Sequence, residues 1–158
     1  MRNTTARQNP TPKIVLDANV LIAASISSAG ASREILRLAS IENPPFRLAL
    51  SEYILEEVRD NLRKLHQWNA LIWFENFIDS LSFELVPNPP RQQVLSNLSL
   101  VPQDVNDVPV ALTALNCGAD ILVAHDGHMS DVNQHTEELR RNLEVLKPAQ
   151  CLARIRGG

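Results

Sequence analysis

The residues in this chain that could do chemistry are carboxylates placed just beyond apolar runs. In "KIVLDANVLI" Asp17 follows four residues that read as a buried strand, where an unpaired charge would cost several kcal/mol. In "ADILVAHDGH" Asp126 stands past a second such run, flanked by His125 and His128. Between the two lie Glu56 and Glu57 in "SEYILEEV", and Asp104 and Asp107 in "PQDVNDVPVALTAL". Taken singly, each has a structural use. Asp17 and Asp107 can cap the helices behind them, Asp126 before Gly127 can make a turn, and Glu57 can be a solvated helix charge. Gathered in one crevice, three or four carboxylates would raise one another's pKa and call for a cation. Oxygen donors without Cys or an ordered His set select Mg²⁺ or Mn²⁺ over zinc. Mg²⁺ completes its shell with water and phosphate oxygens, so the chemistry indicated is that of phosphate esters.

Whether the acids meet depends on the elements that carry them. The spacing predicts a strand at 13–16, helices at about 20–25 and 32–41, and a strand at 46–50. Ser51 then caps a helix with Ile54, Leu55, Val58, Leu62 and Leu65 on one face. A helix at 67–81, a strand in "FELVP", a less regular segment at 91–100 and a helix at 107–116 follow. Strands at 120–124 and 143–146 and a helix at 148–155 complete the pattern. Such alternation predicts an α/β fold, a mainly parallel sheet of four or five strands covered by helices on both faces. In open α/β sheets ligands gather beyond the carboxyl ends of the strands. Asp17 and Asp126 therefore share a crevice if their strands are neighbours. At 100° per residue Glu57 lies roughly 110° from the centre of its helix's apolar stripe and Glu56 roughly 150°, which makes Glu57 the inward candidate.

With 158 residues, 44% hydrophobic and 21% charged, the chain suits one soluble domain over 13–155, behind a polar tail at 1–12 read as flexible. That tail has no apolar segment of the kind a secretory signal carries. The longest apolar runs fall far short of the roughly 18 residues that span a bilayer. Cys117 and Cys151 lack metal-type spacing and read as two buried reduced thiols, from which a cytoplasmic location is expected. A net charge of −3 excludes a broad basic nucleic-acid surface. Any such contact must be local, through Arg33, Arg37, Arg59 and Arg63 on helices beside the acidic strand ends, or helped by cations.

The series "VLDANVLI", "LALSEYILEEV", "DVNDVPVALTAL", "ADILVAHDGHM" resembles the PIN-domain ribonucleases, in particular the VapC-like branch of toxin components of toxin–antitoxin systems. The resemblance runs from about Lys13 to Leu152 and implies the PIN-like three-layer α/β/α fold. It places the catalytic acids at Asp17, Glu57, Asp107 and Asp126, with Asp17, Asp107 and Asp126 as metal ligands. Asn19, Ser51, Asp104 and His128 become supporting residues. The activity implied is Mg²⁺- or Mn²⁺-dependent hydrolysis of phosphodiesters in single-stranded RNA. An antitoxin protein would hold the enzyme silent, and a homodimer would form with help from the "WNALIWFENFI" helix. Many relatives carry a further acid where this chain has His128. That departure keeps open an alternative, a non-catalytic PIN-like module that binds RNA or protein.

Overall fold

The computed structural model describes residues 11–125 and 143–157. Five strands form one sheet: β1 (Lys13–Leu16), β2 (Arg47–Ser51), β3 (Glu84–Val86), β4 (Ile121–Val123) and β5 (Glu144–Leu146). Their order across the sheet is β3-β2-β1-β4-β5, and every pairing is parallel. Among the described residues the α-helices are α1 (Ala18–Ile26), α2 (Ala31–Ala39), α3 (Glu52–Lys64), α4 (Trp68–Ser80), α5 (Arg91–Ser96), α6 (Val108–Asn116) and α7 (Pro148–Gly157). The segment at 91–100, irregular in sequence, divides into α5 and a 3₁₀ turn at Leu98–Leu100.

The chain first moves outward from β1 to β2 to β3, then returns past β1 to β4. Right-handed crossovers place the connections of these two directions on opposite faces. Accordingly α1 packs with α2, α3 and α4, while α6 packs against β1, β2, β4 and α5. The strands are short and apolar because both faces are covered. Ile14, Val15, Leu16, Ala49, Leu50 and Leu122 are wholly buried.

Element ends shift by a residue or two from the sequence expectation, each for a local reason. Helix α1 begins at Ala18 because the Asp17 side chain accepts the Ala18 N–H at 2.8 Å. Helix α2 starts from Gly30 rather than Ser32. Gly30 has φ +100°, a backbone conformation open to glycine, and the tight turn before α2 uses it. The half-buried Cys117 corrects the expectation of two buried thiols; only Cys151 is fully covered, and its burial pushes the thiol up to about 11.

Strand β2 ends in Ser51, which is fully buried and accepts the Ile54 N–H at 3.4 Å as the cap of α3. The Thr113 hydroxyl, midway along α6, donates to Ser51 at 3.1 Å or to the Pro109 carbonyl at 2.8 Å. One buried hydroxyl pair thus ties the start of α3 to α6 and holds together the elements that bear Glu57 and Asp107. Replacing Ser51 with Ala removes the cap and strips Thr113 of a partner. A loss of about 1–2 kcal/mol is expected, read as a lower urea midpoint with an unchanged slope.

Candidate active site

Strands β1 and β4 are neighbours, paired Leu16 with Val123. The Asp17 N–H continues the ladder by one step, donating to the Val123 carbonyl at 2.9 Å. Asp17 is only 2% exposed. It caps α1 while standing at the carboxyl edge of the sheet, so cap and site are compatible uses of the same carboxylate. The end of β4 is fixed from another direction, where the Ser32 hydroxyl on α2 meets His125 Nε2 at 3.1 Å. Asp126 and His128 lie outside the described residues.

Asp107 sits at the start of α6, yet its side chain makes no cap hydrogen bond there. A proline in the first turn already lacks one of the N–H groups that a cap would serve. The residue is nevertheless 91% covered. Asp104 caps the preceding 3₁₀ turn, Val105–Asp107, by accepting the Asn106 N–H at 3.0 Å.

Glu57 is half-buried on α3, and its carboxyl is pushed up by burial first and by the negative charge of Asp104 second. Glu56, one residue earlier, is exposed and bound to Arg59 at 2.8 Å. The helical geometry therefore turns Glu57 toward the aspartates and Glu56 away from them. Asn19 is exposed on the first turn of α1.

Tyr53, which the sequence reading passed over, joins these pieces. It stands one turn before Glu57 on the same side of α3, a spacing that could have drawn attention to it. Its hydroxyl donates to the Asn106 carbonyl at 2.8 Å, and its N–H donates to Asn88 Oδ1 at 2.8 Å. Burial, followed by the negative fields of Glu57, Asp107, Asp104 and Asp17, pushes the phenol up to about 12. Carboxylates from three separate parts of the chain thus add to the electrostatic field at this phenol.

The arginines expected to meet nucleic acid have other partners. Arg59 reaches Glu75 at 2.9 Å, Glu56 at 2.8 Å and Glu52 at 3.1 Å, and these bonds hold its guanidinium well above the ordinary arginine range. It ties α3 to α4. Arg63 pairs with Asp60 and Arg37 with Glu34. Arg33 differs: its Nε donates to the Ala24 carbonyl and its guanidinium lies over the Trp73 ring.

A sequence model described as PIN domain matches residues 13–128. The chain belongs to the PIN-domain family. Among solved structures, PAE2754 from Pyrobaculum aerophilum superposes with a TM-score of 0.65 at 17% identity, covering 94% of this chain and 92% of that one. VapBC2 from Rickettsia felis, bound to a DNA fragment from their promoter, gives a TM-score of 0.55 at 17% identity, covering 85% of this chain and 98% of that one. At such identities the likeness concerns the fold. No curated protein matches by sequence.

The matched span reaches from the start of β1 past Asp126, so all four acids fall inside the PIN domain. Among the described residues no three of His, Cys, Asp and Glu are grouped closely enough to cage a metal. The donor set suits a cation that keeps much of its water: hard oxygens alone, with Glu57 already raised by burial and by a like-charged neighbour. The raised Glu57 carboxyl also makes a stability prediction. A carboxyl raised in the fold favours the native state below its unfolded value of 4.5 and loses that advantage as pH rises. Glu57→Gln should therefore raise the melting temperature of metal-free protein at pH 7, by no more than about 2–4 °C. The gain should vanish below pH 4.5, as thermal scans across pH would register.

Proposed function

We propose that this PIN domain is a Mg²⁺- or Mn²⁺-dependent endoribonuclease that hydrolyses single-stranded RNA. The observation that carries the reading is the pair of almost wholly covered acidic residues, Asp17 after β1 and Asp107 at the start of α6, inside the matched PIN domain. Buried acids brought together raise one another's pKa and favour a divalent ion. Asp17 and Asp107, with Asp126 from the family pattern, would hold the metal. When bound, the metal supplies Lewis-acid activation of the phosphodiester and neutralises charge building on its oxygens. Glu57, whose carboxyl is pushed up by burial and by Asp104, would orient the attacking water and take its proton on a carboxylate oxygen. Tyr53 keeps its proton and holds the Asn106 carbonyl, steadying the loop that presents Asp104 and Asp107.

The toxin half of a toxin–antitoxin pair is the setting this reading favours, in the cytoplasm, with an antitoxin protein as partner. The likeness to the Rickettsia felis VapBC2 structure supports it. Among the described residues no helix is long and apolar enough to cross a membrane. A homodimer is proposed through the exposed Trp68 and Ile72 on α4, respectively 54% and 61% exposed. Large apolar side chains so placed suit a partner surface.

Cleavage of a labelled single-stranded RNA should require Mg²⁺ or Mn²⁺ and stop in EDTA. Asp17→Asn should lower the rate at least a hundredfold, the order lost with a main electrostatic group. Cleavage unchanged by Asp17→Asn at saturating metal would remove the catalytic assignment. RNA bound but never cleaved would point to a binding module instead. Independently of turnover, Mn²⁺ should stabilise the wild type by about 2.7 kcal/mol at a hundred times its Kd, read as a rise in melting temperature. Asp107→Asn should shrink that shift.

A further inference from the structure

Asp107 is presented by a short turn, and Tyr53 grips that turn at the atom next to it. The Asn106 carbonyl that accepts the phenol at 2.8 Å shares one rigid peptide plane with the Asp107 nitrogen. Standard bond lengths then put the phenol oxygen within about 6 Å of the Asp107 Cα.

The other bonds of the turn are internal to it. Asp104 accepts twice, the Asn106 N–H on its side chain and the Asp107 N–H on its carbonyl, both at 3.0 Å. These bonds stiffen the 3₁₀ turn Val105–Asp107 without fixing where it stands relative to α3. The Ser51–Thr113 pair ties α3 to α6, but six positions beyond Asp107. Tyr53 ties the end that bears the acid.

Tyr53 can act as a tie because its own position is set. The start of α3 is capped twice: Ser51 accepts the Ile54 N–H at 3.4 Å, and Asn88, from the connection after β3, accepts the Tyr53 N–H at 2.8 Å. The half-buried ring packs against the core. Backbone and ring are both held, so the hydroxyl has a defined reach. Charge gives the tie something to resist. Glu57 stands one turn further along α3, and repulsion between it and Asp104 drives the acidic turn away from the helix while no cation is bound. The phenol opposes this with an uncharged donor and leaves every carboxylate available. A lysine or arginine in its place would neutralise one of them.

We infer that Tyr53 is a positioning residue for the metal site, its hydroxyl holding the turn so that the Asp107 carboxylate stands in place before a cation arrives. The inference rests on the metal-dependent nuclease reading and deepens it, because part of the metal affinity is assigned to an uncharged residue that is not itself a ligand. Supporting groups of this kind set how well a ligand is oriented.

The test is Mn²⁺ binding to the whole chain, followed through the EPR signal of the free ion, in the wild type, Tyr53→Phe and Cys151→Ser. Phenylalanine keeps the ring and removes only the donor. Affinity should fall about tenfold in Tyr53→Phe, as when a group supporting a metal ligand is lost. Cys151→Ser disturbs a fully covered position in α7, outside the site, and should bind within twofold of the wild type. Metal-free melting curves show whether each protein is folded at the temperature used. Because concentration can make up for lost affinity, Tyr53→Phe should cleave RNA with a kcat within twofold of the wild type once Mn²⁺ saturates. Equal affinity in the wild type and Tyr53→Phe overturns the positioning role and leaves the nuclease reading intact. An equal loss in Cys151→Ser also overturns it, since affinity would then follow stability alone. A kcat still tenfold low at saturation would place Tyr53 in the chemistry and overturn the inference as well. Tyr53-dependent Mn²⁺ binding without any RNA cleavage sustains the inference and overturns the nuclease reading. A wild type that binds no Mn²⁺ overturns both.

Discussion

Burial of acidic residues at the carboxyl edge of a parallel sheet is the constraint on which the rest of this molecule depends. The strands β1 and β4 are adjacent, and the chain puts Asp17, 2% exposed, immediately after β1. From a third direction α3 supplies Glu57, and from a fourth the loop before α6 supplies Asp104 and Asp107. Burial first, and these negative charges second, push up both Glu57 and Tyr53.

The surrounding structure holds these groups in place. The buried pair Ser51 and Thr113 locks α3 to α6, and the Tyr53 hydroxyl bridges α3 to Asn106. Arg59, which might have neutralised the cluster, is drawn to Glu52, Glu56 and Glu75 and ties α3 to α4 instead. Its ion pairs are largely surface-facing and contribute little stability individually. Their effect is geometric, since the Glu75 pair fastens α3 to α4.

Much of this was legible in residue spacing because the governing periods are local. The apolar run Ile14–Leu16 before Asp17 and the three-position step from Ser51 to Ile54 declare a strand end and a helix cap. The 100° step of a helix was enough to separate Glu57 from Glu56. Pairings between distant segments carry no such period. Arg59 reads as a surface cation until α4 brings Glu75 against it, 16 positions away. Tyr53 reads as an ordinary helix residue until Asn106 meets it, 53 positions away. Arg33 and Trp73 likewise show their partnership only once α2 and α4 are packed.

The central claim is that the gathered acids hold a divalent ion. Crystals grown with Mn²⁺ offer the direct test, through the anomalous scattering of the metal. A peak at about 2.0–2.3 Å from carboxylate oxygens of Asp17 and Asp107, beside Glu57, is what the account predicts. A map with no peak there at saturating Mn²⁺, or with the ion bound only elsewhere on the surface, would contradict it.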